Sequence, residues 1–169
     1  MSEENAFWNY AVRIYSEPGV AELCLTLQNR YGLSVNQLLF ALWLAQQGRL
    51  LPANLDDGKA RKWRTEHLEP LRQLRYQARQ YSASTTQKQC YQSLKKAELA
   101  AEKVEIELLY QLLECCAESN TINGSTNATG SGLAYQNLSL VVNPEGQINS
   151  ELSALVLKLV DKAGAGSSN

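Results

Sequence analysis

The chain has 169 residues, 44% of them hydrophobic and 20% charged, with a formal net charge of -1. Those values suit one globular domain with a core of useful size, and they give no global reason to expect a nucleic-acid partner. The apolar run Leu38–Ala45 is too short to cross a membrane, since a spanning helix needs roughly 20 mostly apolar residues. The opening stretch MSEENAFWNY carries two acids and no apolar region, so no secretory signal is expected and the expected location is the cytoplasm.

Phe7, Trp8, Ala11, Val12 and Tyr15 form a helical stripe near the start. SEPG follows, with Pro18 suited to a first helical position. Val20, Leu23, Cys24, Leu27 and Tyr31 mark a second helix, and Gly32 stands where a left-handed cap would end it. Ser34 and Gln37 read as a capping box for a third helix that Gly48 closes. That helix, LLFALWLA, is apolar nearly all round, so its neighbours must cover it nearly all round.

Asp56 and Asp57 are expected N-caps of a further helix, which Pro70 kinks or restarts. Leu68, Leu71, Leu74, Ala78 and Tyr81 give the next stretch an apolar seam, and SASTT (82–86) joins antiparallel helices. The longest helix is expected over about residues 87–118, with a coiled-coil-like seam through Leu94, Ala97, Ala101, Val104, Leu108 and Leu112. SNTINGSTNATGSG (119–132) reads as a flexible linker. A short helix around 133–142 stops at Asn143–Pro144. Ile148, Leu152, Leu155, Val156 and Leu159 stripe the final helix, which Gly164 ends.

The block FWNYAVRIYSEPGVAELCLTLQNRYGLSVNQLLFALWLAQQG, followed by Trp63 and PLRQLR (70–75), resembles the domain-of-unknown-function family 2390, an uncharacterised bacterial helical family. The resemblance extends more weakly through LKKAELAAEKVE and Asn137–Leu138, about residues 6–142 in all. Family members commonly have Asp where Ser34 stands, and both residues cap helices. The resemblance implies one helical cytoplasmic domain. It implies no reaction, cofactor or site residue.

The constellations that carry chemistry are thin. His67 is the single histidine, with no partner at metal-ligand spacing, so it reads as an ordinary helix residue. DDGKA (56–60) departs from the D-D-x-x-D pattern of diphosphate chemistry at Ala60, and helix capping is the plainer reading. Glu98, Glu102 and Glu105 share a helical face and read as a solvated or salt-bridged stripe beside Lys95 and Lys103. Neither a P-loop nor G-x-S-x-G is found, and Gly130-Ser-Gly132 falls in the linker. Cys24, Cys90, Cys115 and Cys116 have no metal or secreted-disulfide spacing and are expected to be reduced and buried or idle. The N-x-S/T triplets at Asn123, Asn127 and Asn137 are discounted for want of a secretory route.

Charge placement is more informative. Residues 58–96 hold ten Lys/Arg against Glu66 and Glu69, an excess of eight positive charges, so the remainder of the chain is acidic. Arg72, Arg75 and Arg79 form a stripe. Three readings compete: internal pairing with carboxylates, an acidic protein surface, or phosphates of a nucleic acid or small anion. Arg75 lies only about 40° from Leu71 and is expected to be a structural boundary residue with Glu98 as its candidate partner. Arg79 and Arg72, placed progressively farther from that face, with Lys62 and Arg64, are the candidate anion- or partner-binding residues.

The sequence thus predicts an all-α single-domain bundle over residues 5–163. It comprises a three-helix N-terminal block (5–48), a basic hairpin (57–118), a linker (119–132), C-terminal helices (133–163) and a disordered tail (164–169). The expected role is a non-enzymatic interaction or regulatory protein that binds a protein partner through the hairpin. The alternatives are a nucleic-acid-associated factor contacting the phosphate backbone and, third, a small-molecule enzyme of unrecognised type. No catalytic residue, cofactor, metal or membrane association is expected. A homodimer stays open, because long amphipathic hairpins often pair.

Overall fold

The computed structural model describes residues 5–118, 130–145 and 148–165. The helices are α1 (Ala6–Tyr15), α2 (Val20–Tyr31), α3 (Val35–Gln46), α4 (Gly58–Trp63), α5 (Glu69–Arg79), α6 (Thr85–Tyr110), α7 (Gly130–Val142) and α8 (Ser150–Ala165). A π-helical turn, Arg64–Leu68, joins α4 to α5, and a 3-10 turn, Leu113–Cys115, follows α6. Among the described residues no strand forms, so the fold is all-α; Arg49 and Glu118 make one isolated bridge. The chain divides into two compact units, residues 1–55 with 110–169, and residues 56–109.

Local signals set the ends of the first three helices. The Asn5 side chain accepts the Trp8 N–H at 2.8 Å, and the Ser34 hydroxyl accepts the Gln37 N–H at 3.3 Å. Gly32, at φ 67°, adopts the left-handed cap that an L side chain resists. Pro18 does not open α2: the helix starts two residues later, because Gly19 at φ 85° breaks the helical path between them. A Cβ on Gly19 would stand 2.8 Å from the flexible end of the exposed Lys162 side chain, which can move aside, so the positive φ is what requires glycine there.

In the first unit, Asn36 and every residue from Leu38 to Ala45 are buried. Helix α3 packs against α1, α2 and α7, which is the full coverage that its all-round apolar surface demands. Phe7 buries its ring 5.3 Å from both Phe40 and Trp43, and Tyr110 lies 5.5 Å from Trp43 on another side. Helix α8 packs on α2 and α7, with Asn149 capping it by accepting the Leu152 N–H at 2.8 Å.

Two polar side chains tie the irregular parts of this unit down. Asn137 is fully buried; its amide donates to the Ala41 and Arg49 carbonyls at 3.2 and 2.9 Å and accepts the Leu51 N–H at 2.9 Å. Arg49 donates to the Leu113 and Cys116 carbonyls at 3.1 and 2.8 Å. The Leu50 N–H donates to the Ala117 carbonyl at 2.9 Å. Asn137→Leu should lower stability by about 2–4 kcal/mol, because the backbone groups it serves lose their partner in a dry site. Urea midpoints of the two proteins check this, and equal midpoints would remove Asn137 from the determinants of the fold.

Several sequence boundaries are corrected. Helix α6 ends at Tyr110 instead of running to 118; the carbonyls beyond it turn to Arg49 and the chain toward Leu50, so the helical ladder is replaced by longer-range partners. The hairpin unit accordingly spans 56–109, not 57–118. Residues 130–132, assigned above to the linker, form the first turn of α7, and residues 164–165, assigned to the tail, are the last of α8. The remaining linker and tail, 119–129 and 166–169, lie outside the described residues, as do the triplets at Asn123 and Asn127. Asn137, the third triplet, is a core residue.

Candidate interaction surface on the hairpin

The hairpin unit begins where Asp56 accepts the Gly58 N–H at 2.9 Å. Asp57 occupies the N-cap position of α4 without a side-chain capping bond; its carboxylate pairs instead with Arg61 at 3.1 Å and reaches toward Arg64 at 3.8 Å. The π turn has a local cause. Pro70 has no N–H, and its ring would crowd the carbonyl four residues back in a regular helix. Just before it the Glu69 N–H bonds the Arg64 carbonyl five residues back, which shifts the ladder and lets the helical path continue into α5. On this turn the His67 ring is exposed and stacked on Trp63 at 4.1 Å, while the Trp63 indole N–H donates to the Ala101 carbonyl at 2.9 Å.

The loop closes with a capping box absent from the reading above. Ser84 accepts the Gln87 N–H at 3.1 Å, and Gln87 accepts the Ala83 and Ser84 N–H groups at 3.1 and 2.9 Å. The S-x-x-Q signal was present in the sequence but lies inside a run of small polar residues.

From here α6 runs back along α4 and α5, and a ladder of arginines meets a ladder of glutamates. Arg64 Nε donates to Glu105 at 2.6 Å, and Glu105 is fully buried. Arg72 donates to Glu98 at 3.4 Å and Glu102 at 3.5 Å. Arg75 grips both oxygens of Glu98, through Nε to one and Nη2 to the other at 3.2 Å, and its guanidinium lies 4.5 Å from the Tyr76 ring centroid. This forked, charge-assisted contact raises the Arg75 pKa further, with the Glu98 hydrogen bond as the main cause.

The inward face of α5 therefore differs from the apolar seam. Arg72 and Arg75 are equally covered, at 18% and 16% side-chain exposure, whereas Leu74 is half exposed. The carboxylates at Glu98, Glu102 and Glu105 draw the arginines in, and the helix rotates to suit them. Arg64 and Arg72 leave the set available to an outside ligand; Lys62 and Arg79 are exposed. Arg75→Ala should lower stability by about 1–3 kcal/mol, and Arg79→Ala by less than about 0.5 kcal/mol, in parallel thermal melts.

Glu102 offers a pH signature. Burial is the main cause that raises its carboxyl pKa, with Arg72 opposing and the neighbouring Glu98 and Glu105 reinforcing the rise. A carboxyl whose pKa rises on folding binds its proton more readily in the folded state, so its ionisation costs stability as pH climbs past the unfolded value of about 4.3. Glu102→Gln should then be at least as stable as the parent at neutral pH. That difference should shrink as pH falls through the raised range and disappear below the unfolded pKa. A variant that is weaker at neutral pH and recovers in acid would reverse this sign.

Beyond the ladder the hairpin is a bare two-helix layer. Between Leu68 and Glu98 no residue is buried, and α5 has no buried residue at all. Leu74 and Tyr76 on α5 and Tyr81 in the turn after it are exposed. Residues 70–97 contain no acid, and Arg79, Lys88, Lys95 and Lys96 are exposed among them.

Other candidates for chemistry disperse. Among the described residues no group of three His, Cys, Asp or Glu could hold a metal ion. Burial pushes the Cys24 thiol up to about 12 and the Cys116 thiol up to about 11, which keeps both as poor nucleophiles; Cys90 and Cys115 are exposed. Among the described residues no helix is long and apolar enough to cross a membrane.

These features define an all-α protein with a charge-laddered helical hairpin. The chain belongs to the family described as "Protein of unknown function (DUF2390)", whose model matches residues 6–109. The match stops short of Asn137–Leu138 and takes in α1 to α5 and nearly all of α6. No curated protein and no solved structure matches the chain.

Proposed function

We propose that this is a non-enzymatic cytoplasmic interaction protein whose hairpin docks an acidic, amphipathic helix of a protein partner. The supporting observation is the uncovered stretch between Leu68 and Glu98. It combines exposed Leu74, Tyr76 and Tyr81 with exposed Arg79, Lys88, Lys95 and Lys96. Apolar side chains in such a setting gain by being covered, and the surrounding cations select a covering surface of opposite charge. Phosphate backbone would use the cations but not the leucine, so protein is favoured over nucleic acid. A second hairpin would bring like charges together, which disfavours self-pairing through this face.

The test uses the whole chain and a fluorescent Glu/Leu-rich amphipathic helical peptide. Binding should weaken with salt and fall at least tenfold in the Leu74→Asp/Tyr81→Asp double variant, while melts of that variant stay close to the parent. Equal peptide affinity for parent and variant would refute the docking face. Capture from cell extract with and without nuclease then separates the alternatives: partners lost on nuclease treatment would replace this reading with a nucleic-acid role.

A further inference from the structure

The first unit holds a cavity of about 420 Å³ walled by Leu42 and Ala45 of α3, Ala134 of α7, and Val160 and Ala163 of α8. Three alanines from three helices face one space, and the exposed Gln46, Gly130, Ser131 and Gly164 complete its lining, so it is a pocket open to solvent and not a void in the packed interior. Tyr10 of α1 also lines the pocket, although only 7% of the residue is exposed.

Tyr10 is the informative member. A buried tyrosine hydroxyl usually finds a hydrogen-bond partner. This one has none among the described residues, and it is not sealed from open space. Its ring is held by burial in α1 with Phe7, Ala11 and Ile14, and the Arg13 guanidinium lies 5.4 Å from its centroid. Burial also raises the phenol above its ordinary pKa, with Arg13 opposing, so the hydroxyl stays a protonated donor at any physiological pH.

We infer that this cavity is a binding site for a small, neutral, largely apolar molecule whose single acceptor oxygen takes a hydrogen bond from the Tyr10 hydroxyl. The alanine walls supply apolar contact, and the phenol supplies orientation. No charged side chain lines the cavity among the described residues, and its other polar side chains, Gln46 and Ser131, are exposed, so an anionic or cationic headgroup would enter without a counter-charge. The site lies wholly in the first unit and is independent of the hairpin reading.

The test is fluorescence titration of the whole chain with Prodan, a neutral naphthyl ketone whose emission moves to the red when its carbonyl accepts a hydrogen bond. The parent should bind it saturably. Tyr10→Phe keeps the ring and removes the donor; affinity should drop about three- to tenfold, with a blue shift of the bound emission. Ala134→Leu fills the cavity and should remove saturable binding. Absence of saturable binding to the parent overturns the inference. So does parent-like affinity and emission in Tyr10→Phe, or parent-like binding in a folded Ala134→Leu protein. If Ala134→Leu does not fold, Tyr10→Phe alone decides.

Discussion

Glu105→Leu should destabilise the hairpin by about 3–5 kcal/mol. Glu105 is fully buried, and the Arg64 side chain that faces it is only 11% exposed. Their contact is short, 2.6 Å, and the far nitrogen of the guanidinium, Arg64 Nη2, already lacks a hydrogen-bond partner. Removing the carboxylate leaves a charge that cannot neutralise itself, with Asp57 3.8 Å away as its remaining ion-pair contact. The cost is that of a stranded cation, not the net worth of the pair, which desolvation has already reduced. The double variant Arg64→Met/Glu105→Leu should therefore recover most of the loss. Urea midpoints for the parent, both single variants and the double variant close a thermodynamic cycle. If the double variant is as weak as Glu105→Leu, lost packing and not charge explains the effect.

The ladder shows where sequence reasoning succeeds and where it stops. Gly32, Ser34 and Gly48 mark helix ends because each acts on backbone groups within four residues of itself. The covering of α3 is legible for a similar reason: a helix apolar on every side has no face to give to water. The inward face of α5 is not legible by that route. Its apolar residues and its arginines both recur at helical spacing, so periodicity offers two phases about 100° apart. The choice between them is made by Glu98 and Glu102, which lie more than twenty residues away and meet α5 only once the loop has closed. Hence the Arg75–Glu98 contact could be named from hairpin geometry, while the equal burial of Arg72 and the exposure of Leu74 could not. The early end of α6 belongs to the same class, since the signal is a single arginine, Arg49, more than sixty residues back. The Tyr10 cavity carries no motif. It arises from alanines on three helices whose adjacency is a product of the fold.

Trp43→Ala should cost about 3–5 kcal/mol in the first unit, the range for deleting a buried aromatic side chain. Trp43 is 3% exposed in the last turn of α3. Its ring stacks on Phe7 of α1 at 5.3 Å and an interplanar angle of 30°, lies 6.0 Å from Phe40 one turn earlier, and meets Tyr110 at 5.5 Å. The side chain thus joins three parts of the chain that are remote in sequence, and none of the surrounding rings can collapse into the space without leaving its own contacts. Trp43→Phe keeps an aromatic plane against Phe7 and should cost clearly less than Trp43→Ala. Leu74→Ala, an apolar truncation at an exposed site, should stay within about 0.5 kcal/mol and so separates burial from loss of hydrophobicity as such. Denaturant melts rank the three variants. If Trp43→Ala unfolds with the parent, the rings around it are not a packed cluster, and the covered central helix ceases to explain why Leu38–Ala45 is so apolar.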